Sequence, residues 1–135
     1  MRERGQLGLP VVEAAVGVLL VLAVITGFAF GTPHPDGAHR QLDAYARDTA
    51  AVLAADAPRH AGSTRLEEVA ASDASFERER DALDRRVARV LPANCLYRVE
   101  TPHGTVGYPR PPGVPVGSAR VATANGAVVV EVWYA

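Results

Sequence analysis

Residues 118–134 read SARVATANGAVVVEVWY, and this stretch decides the fold. Asn125-Gly126 is the favoured two-residue type I′ turn, and the residues on both sides alternate in the β-branched pattern of strands. A turn at that dipeptide predicts a register. Ala124 then opposes Ala127, Val121 opposes Val130, and Arg120 faces Glu131 as a cross-strand ion pair. Alternation places Ala119, Val121, Thr123, Val128, Val130 and Val132 on one face, which must pack on other elements. Trp133 shares the opposite face with Val129. There it would either contact a partner or cover the sheet edge.

The chain just before the hairpin has two characters. CLYRVET, 95–101, alternates, with Cys95, Tyr97 and Val99 facing one way and Leu96, Arg98 and Glu100 the other. PHGTVGYPRPPGVPVG, 102–117, is a Pro/Gly-rich excursion expected to be a long loop, and its Arg110 is a candidate partner contact.

Further upstream the period becomes helical. Over 38–56, Leu42, Tyr45, Ala46, Val52 and Leu53 fall on one face, with Thr49 a weak member. APRHAGS, 57–63, reads as a loop. Thr64-x-x-Glu67 forms a capping box that opens a short helix over 64–70. A third helix over 75–91 carries Phe76, Leu83, Val87 and Val90 as its apolar stripe, and Pro92 stops it. ERERDALDRR, 77–86, fills its other face, where an Asp81–Arg85 pair is expected on a solvated surface. Helices packed on a small antiparallel sheet make the head domain, residues 38–135, an α+β fold.

The other end of the chain belongs to a different solvent. From Ala14 to Phe30 there is no charge, and Thr26 is the polar exception. The apolar stretch from Leu9 makes a helix roughly 33 Å long, enough for a hydrocarbon core of about 30 Å. Pro10 suits its first turn. Arg2 and Arg4 precede the span, and the next basic residue is Arg40. That asymmetry predicts a single-pass protein of the cell membrane, with a cytoplasmic N-terminus and an extracytoplasmic head. GTPHPDG, 31–37, breaks the chain between span and head.

Glu13 complicates the span. A charge at mid-bilayer costs about 2.5–3.5 kcal/mol, and a secretory signal has no reason to carry one. A plain anchor tolerates it near one face, where the helix dipole also favours a carboxylate. In a bundle of helices a buried carboxylate needs a cation, such as a neighbour's newly exposed N-terminal amine. Anchor, secretory signal with a small-residue site at 29–31, and prepilin-type leader all remain as readings.

On these residues, RGQLGLPVVEAAVGVLLVLAV (4–24) resembles the class III leader of archaeal type IV pilin-like proteins, and is similar to small pilin-like membrane proteins of haloarchaea. The resemblance implies a leader over residues 1–8, removed by a prepilin-type peptidase, with the membrane helix over 9–30 retained. The cut falls either between Gly5 and Gln6 or between Gly8 and Leu9, and Arg4 beside Gly5 favours the first. It further implies like or related pilin subunits as partners, and charge compensation by Glu13. Two features depart from the pattern: the Gly/Pro break after the span, and a chain that lacks the acidity of haloarchaeal surface proteins.

Composition and motifs narrow the chemistry. A formal net charge of −1 over 135 residues, without a purely basic run, offers nothing to nucleic acid. All 14 basic residues counted as Lys or Arg are arginine. The single cysteine, Cys95, forbids an intramolecular disulfide and CxxC metal sites, and no base stands near it in the sequence. His34-Pro35-Asp36 reads as a turn, and neither His34 nor His39 has a spaced ligand set. There is no GxSxG, phosphate loop or dinucleotide fingerprint. The expectation is a non-enzymatic structural subunit, without cofactor or metal.

Overall fold

The structure, a computed structural model, describes residues 8–30 and 35–135. The chain divides into two compact units after His34. The first contains α1 (Gly8–Phe30). Every residue described from Pro10 to Gly27 is exposed, and the mean hydropathy of that window is 2.2. The helix is apolar all round, so no stripe turns it toward a core of its own, and by length and composition it can cross a membrane. The expectations for Arg2, Arg4, Gly5 and Gln6 lie outside the described residues, as does 31–34 of the expected break.

The second unit runs α2 (Pro35–Ala55), α3 (Arg65–Ala70), α4 (Asp73–Val90), β1 (Cys95–Thr101), β2 (Gly104–Gly107), β3 (Gly117–Thr123) and β4 (Gly126–Tyr134). It is the expected α+β fold. Helix α2 starts earlier than periodicity indicates and takes in residues 35–37 of the break. Pro35 suits a first helical position, and Asp36 meets the positive end of the helix dipole. Thr64 and Ser72 cap α3 and α4, each side chain accepting a backbone N–H three residues on. The capping box is only half made. Glu67 leaves Thr64 and reaches the hairpin turn, where both of its carboxylate oxygens accept the Ala124 N–H at 3.2 Å.

The four strands form one antiparallel sheet in the order β2-β1-β4-β3. Tyr97, Val99, Val128, Val130 and Val132 are buried with Leu42, Ala46 and Leu53 of α2, Leu66 and Val69 of α3, and Phe76, Leu83 and Val87 of α4. Each buried Val, Leu or Phe among them contributes about 1.5–3 kcal/mol by leaving water, which makes this cluster the main source of stability. Helix α2 lies over β3 and β4, and α4 over β2. Gly117 permits the first contact, because a Cβ there would run into the backbone of Leu42.

The hairpin register differs from the expected one by two residues. The loop is Ala124-Asn125, and Thr123 pairs with Gly126, Val121 with Val128 and Arg120 with Val129. The Thr123 hydroxyl accepts the Asn125 N–H and donates to the Gly126 carbonyl, while Glu67 holds Ala124. Gly126 follows the loop with a φ of +128°, a conformation that disfavours a side chain. These contacts place the turn one residue before Asn125-Gly126. A shift of two residues keeps every side chain on its face, so the valine face is where alternation puts it. It does break the predicted Arg120–Glu131 pair. Glu131 opposes Ser118 and Arg98, and its partner is Arg110 at 2.9 Å. The Pro-rich excursion is also not all loop. Its first part forms β2, and Arg110 ties the rest to the sheet.

Candidate functional site

Two features of the described chain call for a function. The first is α1, whose apolar circumference is uncovered and whose one carboxylate, Glu13, stands in the second turn. Gly8 is the first residue of the helix and Leu9 the second, so the Gly8–Leu9 cut candidate lies at the helix start.

The second feature is a cluster of charges where the 56–64 loop folds over α3 and α4. The loop is pinned at its root. Asp56 accepts two hydrogen bonds from Arg86 of α4, at 2.8 and 3.0 Å, and the Asp56 carbonyl accepts the Arg65 N–H. Those hydrogen bonds hold the Asp56 carboxyl below its ordinary pKa against the opposing effect of burial, with the Arg86 and Arg65 charges adding to the lowering. Beyond the root, the backbone N–H groups of Arg59, His60 and Ala61 converge on the buried Glu68 carboxylate at 2.7, 2.9 and 3.2 Å. Burial alone would raise the Glu68 pKa. These three donors, with the charge of His60, overcome it and lower the pKa.

Glu79 stands beside Glu68 and is treated differently. It is fully buried (0 % exposed), yet neither of its carboxylate oxygens accepts a hydrogen bond among the described residues. Its neighbours are charges. His60 Nδ1 lies 2.6 Å from Glu79 Oε1 and 3.4 Å from Glu68 Oε1. Arg59 and Arg78 approach Glu79 at 3.5 and 3.6 Å, and Arg78 also approaches Glu68 at 3.8 Å. These three basic side chains are half exposed, at 47, 49 and 45 % for Arg59, His60 and Arg78, so the cluster opens to solvent on their side. One ligand atom from each of His60, Glu68 and Glu79 lies within 4.8 Å of the others.

The sequence reading did not find this cluster. It treated His60 as a loop residue and Glu79 as part of the solvated face of α4. One signal was present. The apolar stripe of α4 passes from Phe76 to Leu83 without a member on the turn between, and Glu79 fills that gap, buried with Phe76, Leu83 and Val87. The expected Asp81–Arg85 pair is absent from the ion pairs among the described residues, and Asp81 instead lies 3.9 Å from Arg80.

The other candidates fall elsewhere. Trp133 is 1 % exposed, so it is an interior residue of its own domain rather than an aromatic presented to a partner. Arg110 is committed to Glu131. Cys95 is buried, and burial raises its thiol pKa, the opposite of an activated nucleophile. Asn125 and Gly126 serve the turn, and His39 is exposed on α2.

No curated protein and no solved structure matches the chain. The model of the family of unknown function (DUF7262) matches residues 3–134, nearly the whole length, and the chain belongs to that family.

Proposed function

We propose that the protein is a non-enzymatic, pilin-like structural subunit. Its α1 would be held in the cell membrane and then packed against α1 of like subunits, with the head on the extracytoplasmic side. The observation that carries this reading is the helix itself: uncovered from Pro10 to Gly27, with one carboxylate near its start. Lipid covers such a surface in an anchor, and neighbouring helices cover it in a filament. In a dry bundle Glu13 requires a cation, and the amine created by leader removal supplies one. Arg2 and Arg4 would keep the leader on the cytoplasmic side, where a prepilin-type peptidase cuts after Gly5 or Gly8.

The second reading is a single-pass anchored extracytoplasmic domain that binds a partner without assembling. The uncovered helix is equally the surface that such an anchor presents to lipid. N-terminal sequencing of the membrane-associated protein separates the two. A start at Gln6 or Leu9 supports the subunit, and an intact Met1 or a start near Thr32 overturns it. Crosslinking adds a second measurement: the subunit predicts a ladder of oligomers that disappears in Glu13→Gln, and the anchored domain predicts indifference.

A further inference from the structure

We propose that His60, Glu68 and Glu79 form a binding site for one divalent transition-metal cation of the zinc type, built into the head independently of α1. The first observation is convergence. The imidazole Nδ1 of His60 stands 3.4 Å from Glu68 Oε1 and 2.6 Å from Glu79 Oε1. Ligand atoms that share a zinc ion at about 2.0–2.2 Å lie roughly 3.4 Å apart along the edges of a tetrahedron. The first separation already fits, and the second needs to open by less than about 1 Å, within reach of a half-exposed histidine on a loop.

The second observation is independent of the spacing. Both oxygens of the fully buried Glu79 lack a hydrogen-bond donor. A carboxylate withdrawn from water is normally satisfied by donors, as Glu68 and Asp56 are here. Ion pairing and metal coordination are the other ways to satisfy a buried charge, and here His60 at 2.6 Å, with Arg59 and Arg78 farther off, supplies pairing without a hydrogen bond. The guanidinium groups of Arg59 and Arg78 are poor substitutes. They approach at 3.5–3.8 Å without forming a hydrogen bond to either carboxylate, and each is about half exposed, so both can swing to solvent and make room.

The donor set also selects the ion. Calcium and magnesium take oxygen ligands and prefer more of them, whereas one imidazole with two carboxylates suits zinc and its neighbours. The three N–H groups fix the Glu68 carboxylate in place; two of them occupy Oε1 and one Oε2, so a metal would take the remaining lone pair of Oε2 or displace a donor from Oε1. Three protein ligands leave the fourth position, on the open side, to water or to a group from another molecule.

The test is a titration of the full-length protein in detergent micelles. Cobalt(II) is followed by its visible d–d absorption and zinc(II) by calorimetry, with each metal supplied alone. One equivalent should bind. Glu79→Gln and His60→Ala should each weaken binding by more than about ten-fold, the loss typical when only an outer-shell partner is removed. Arg78→Ala, which removes a competing cation, should bind at least as tightly as the parent, and His103→Ala should bind equally well. The half-exposed His60 makes His60→Ala informative even if Glu79→Gln were to unfold. The proposal is overturned by the absence of a one-to-one complex, by binding indifferent to His60→Ala, or by loss of binding in His103→Ala or Arg78→Ala. Failure of this site leaves the filament reading untouched, since that reading is decided at the N-terminus.

Discussion

Asp56, at the root of the 56–64 loop, and Glu79 of α4, in contact with Arg59 and His60 of that loop, show two ways of burying an acid. Asp56 keeps partial contact with solvent and receives a bidentate arginine, the geometry in which guanidinium and carboxylate match best. Glu79 is fully buried and has Arg59, Arg78 and His60 within 4 Å of its oxygens, but accepts no hydrogen bond. The difference separates a structural ion pair from a candidate site. The first is complete within the chain, and removing either member leaves the other exposed to a loss. The second has basic groups of its own chain within 4 Å but no hydrogen bond, so its charge is paired without being directly donated to.

The largest expected effect is on the complete pair. Asp56→Ala removes two charged hydrogen bonds and leaves Arg86 and Arg65 without their acid, and it should cost about 1–3 kcal/mol of unfolding free energy. Thermal unfolding followed by the fluorescence of the single, buried Trp133 reads this directly. Glu79→Met should behave in the opposite way in metal-free protein. Replacing a buried, undonated carboxylate by an apolar side chain of similar length removes a desolvation cost, and His60, Arg59 and Arg78 can turn to water. Its melting temperature should equal or exceed the parent's. A fall as large as that of Asp56→Ala would erase the distinction between the two acids.

Acid should sharpen the same contrast by a smaller amount. The folded pKa of Asp56 is lowered, chiefly by the Arg86 hydrogen bonds. A depressed carboxyl contributes stability that is fully present above its unfolded value, near 3.9, and is lost as pH falls through the folded value. Melting temperatures between pH 5 and 2 should therefore decline in the parent and decline less steeply in Arg86→Ala, where the chief cause of the depression is gone. Equal slopes would show that Asp56 is not the group whose titration matters there.

What could be read from the sequence and what could not divides along a physical line. The apolar span, the helix stripes and the valine face of the sheet depend on periodicity within single segments, and periodicity is local. The Thr64 N-cap is local too, whereas α4 begins at Asp73 behind a Ser72 cap, two residues before the expected start at 75. The Glu79 site depends on a loop, α3 and α4 meeting in space, and its one local trace is a missing apolar residue between Phe76 and Leu83. Strand β2 escaped because Gly104 and Gly107 flank just two strand-forming residues, Thr105 and Val106, inside a proline-rich run. Its existence depends on β1, which supplies the pairing partners from Arg98 to Thr101. Alternation puts Trp133 on the face opposite the valines, but it does not reveal that Trp133 itself is buried while Glu100, Ser118, Arg120 and Ala122 on that face stay exposed.

The hairpin register provides the smallest test and the most selective one. Asn125-Gly126 has the stronger intrinsic preference for a two-residue turn. The chain instead turns at Ala124-Asn125, where Glu67 and Thr123 supply side-chain partners for the loop N–H groups. The two registers present the same faces but pair different charges. In the observed register Glu131 interacts with Arg110, and Arg120 faces Val129. A double-mutant cycle on Arg110 and Glu131 should return a coupling of about 0.2–1 kcal/mol, the range of a partly exposed pair. The cycle on Arg120 and Glu131 should return none. Removing the Glu67 carboxylate with Glu67→Ala releases Ala124 and leaves the turn to its local preference. If side-chain capture is what sets the register, coupling should then appear between Arg120 and Glu131 and fade between Arg110 and Glu131. If both couplings stay as they were, the register is fixed instead by the packing of Val128, Val130 and Val132 against the helices.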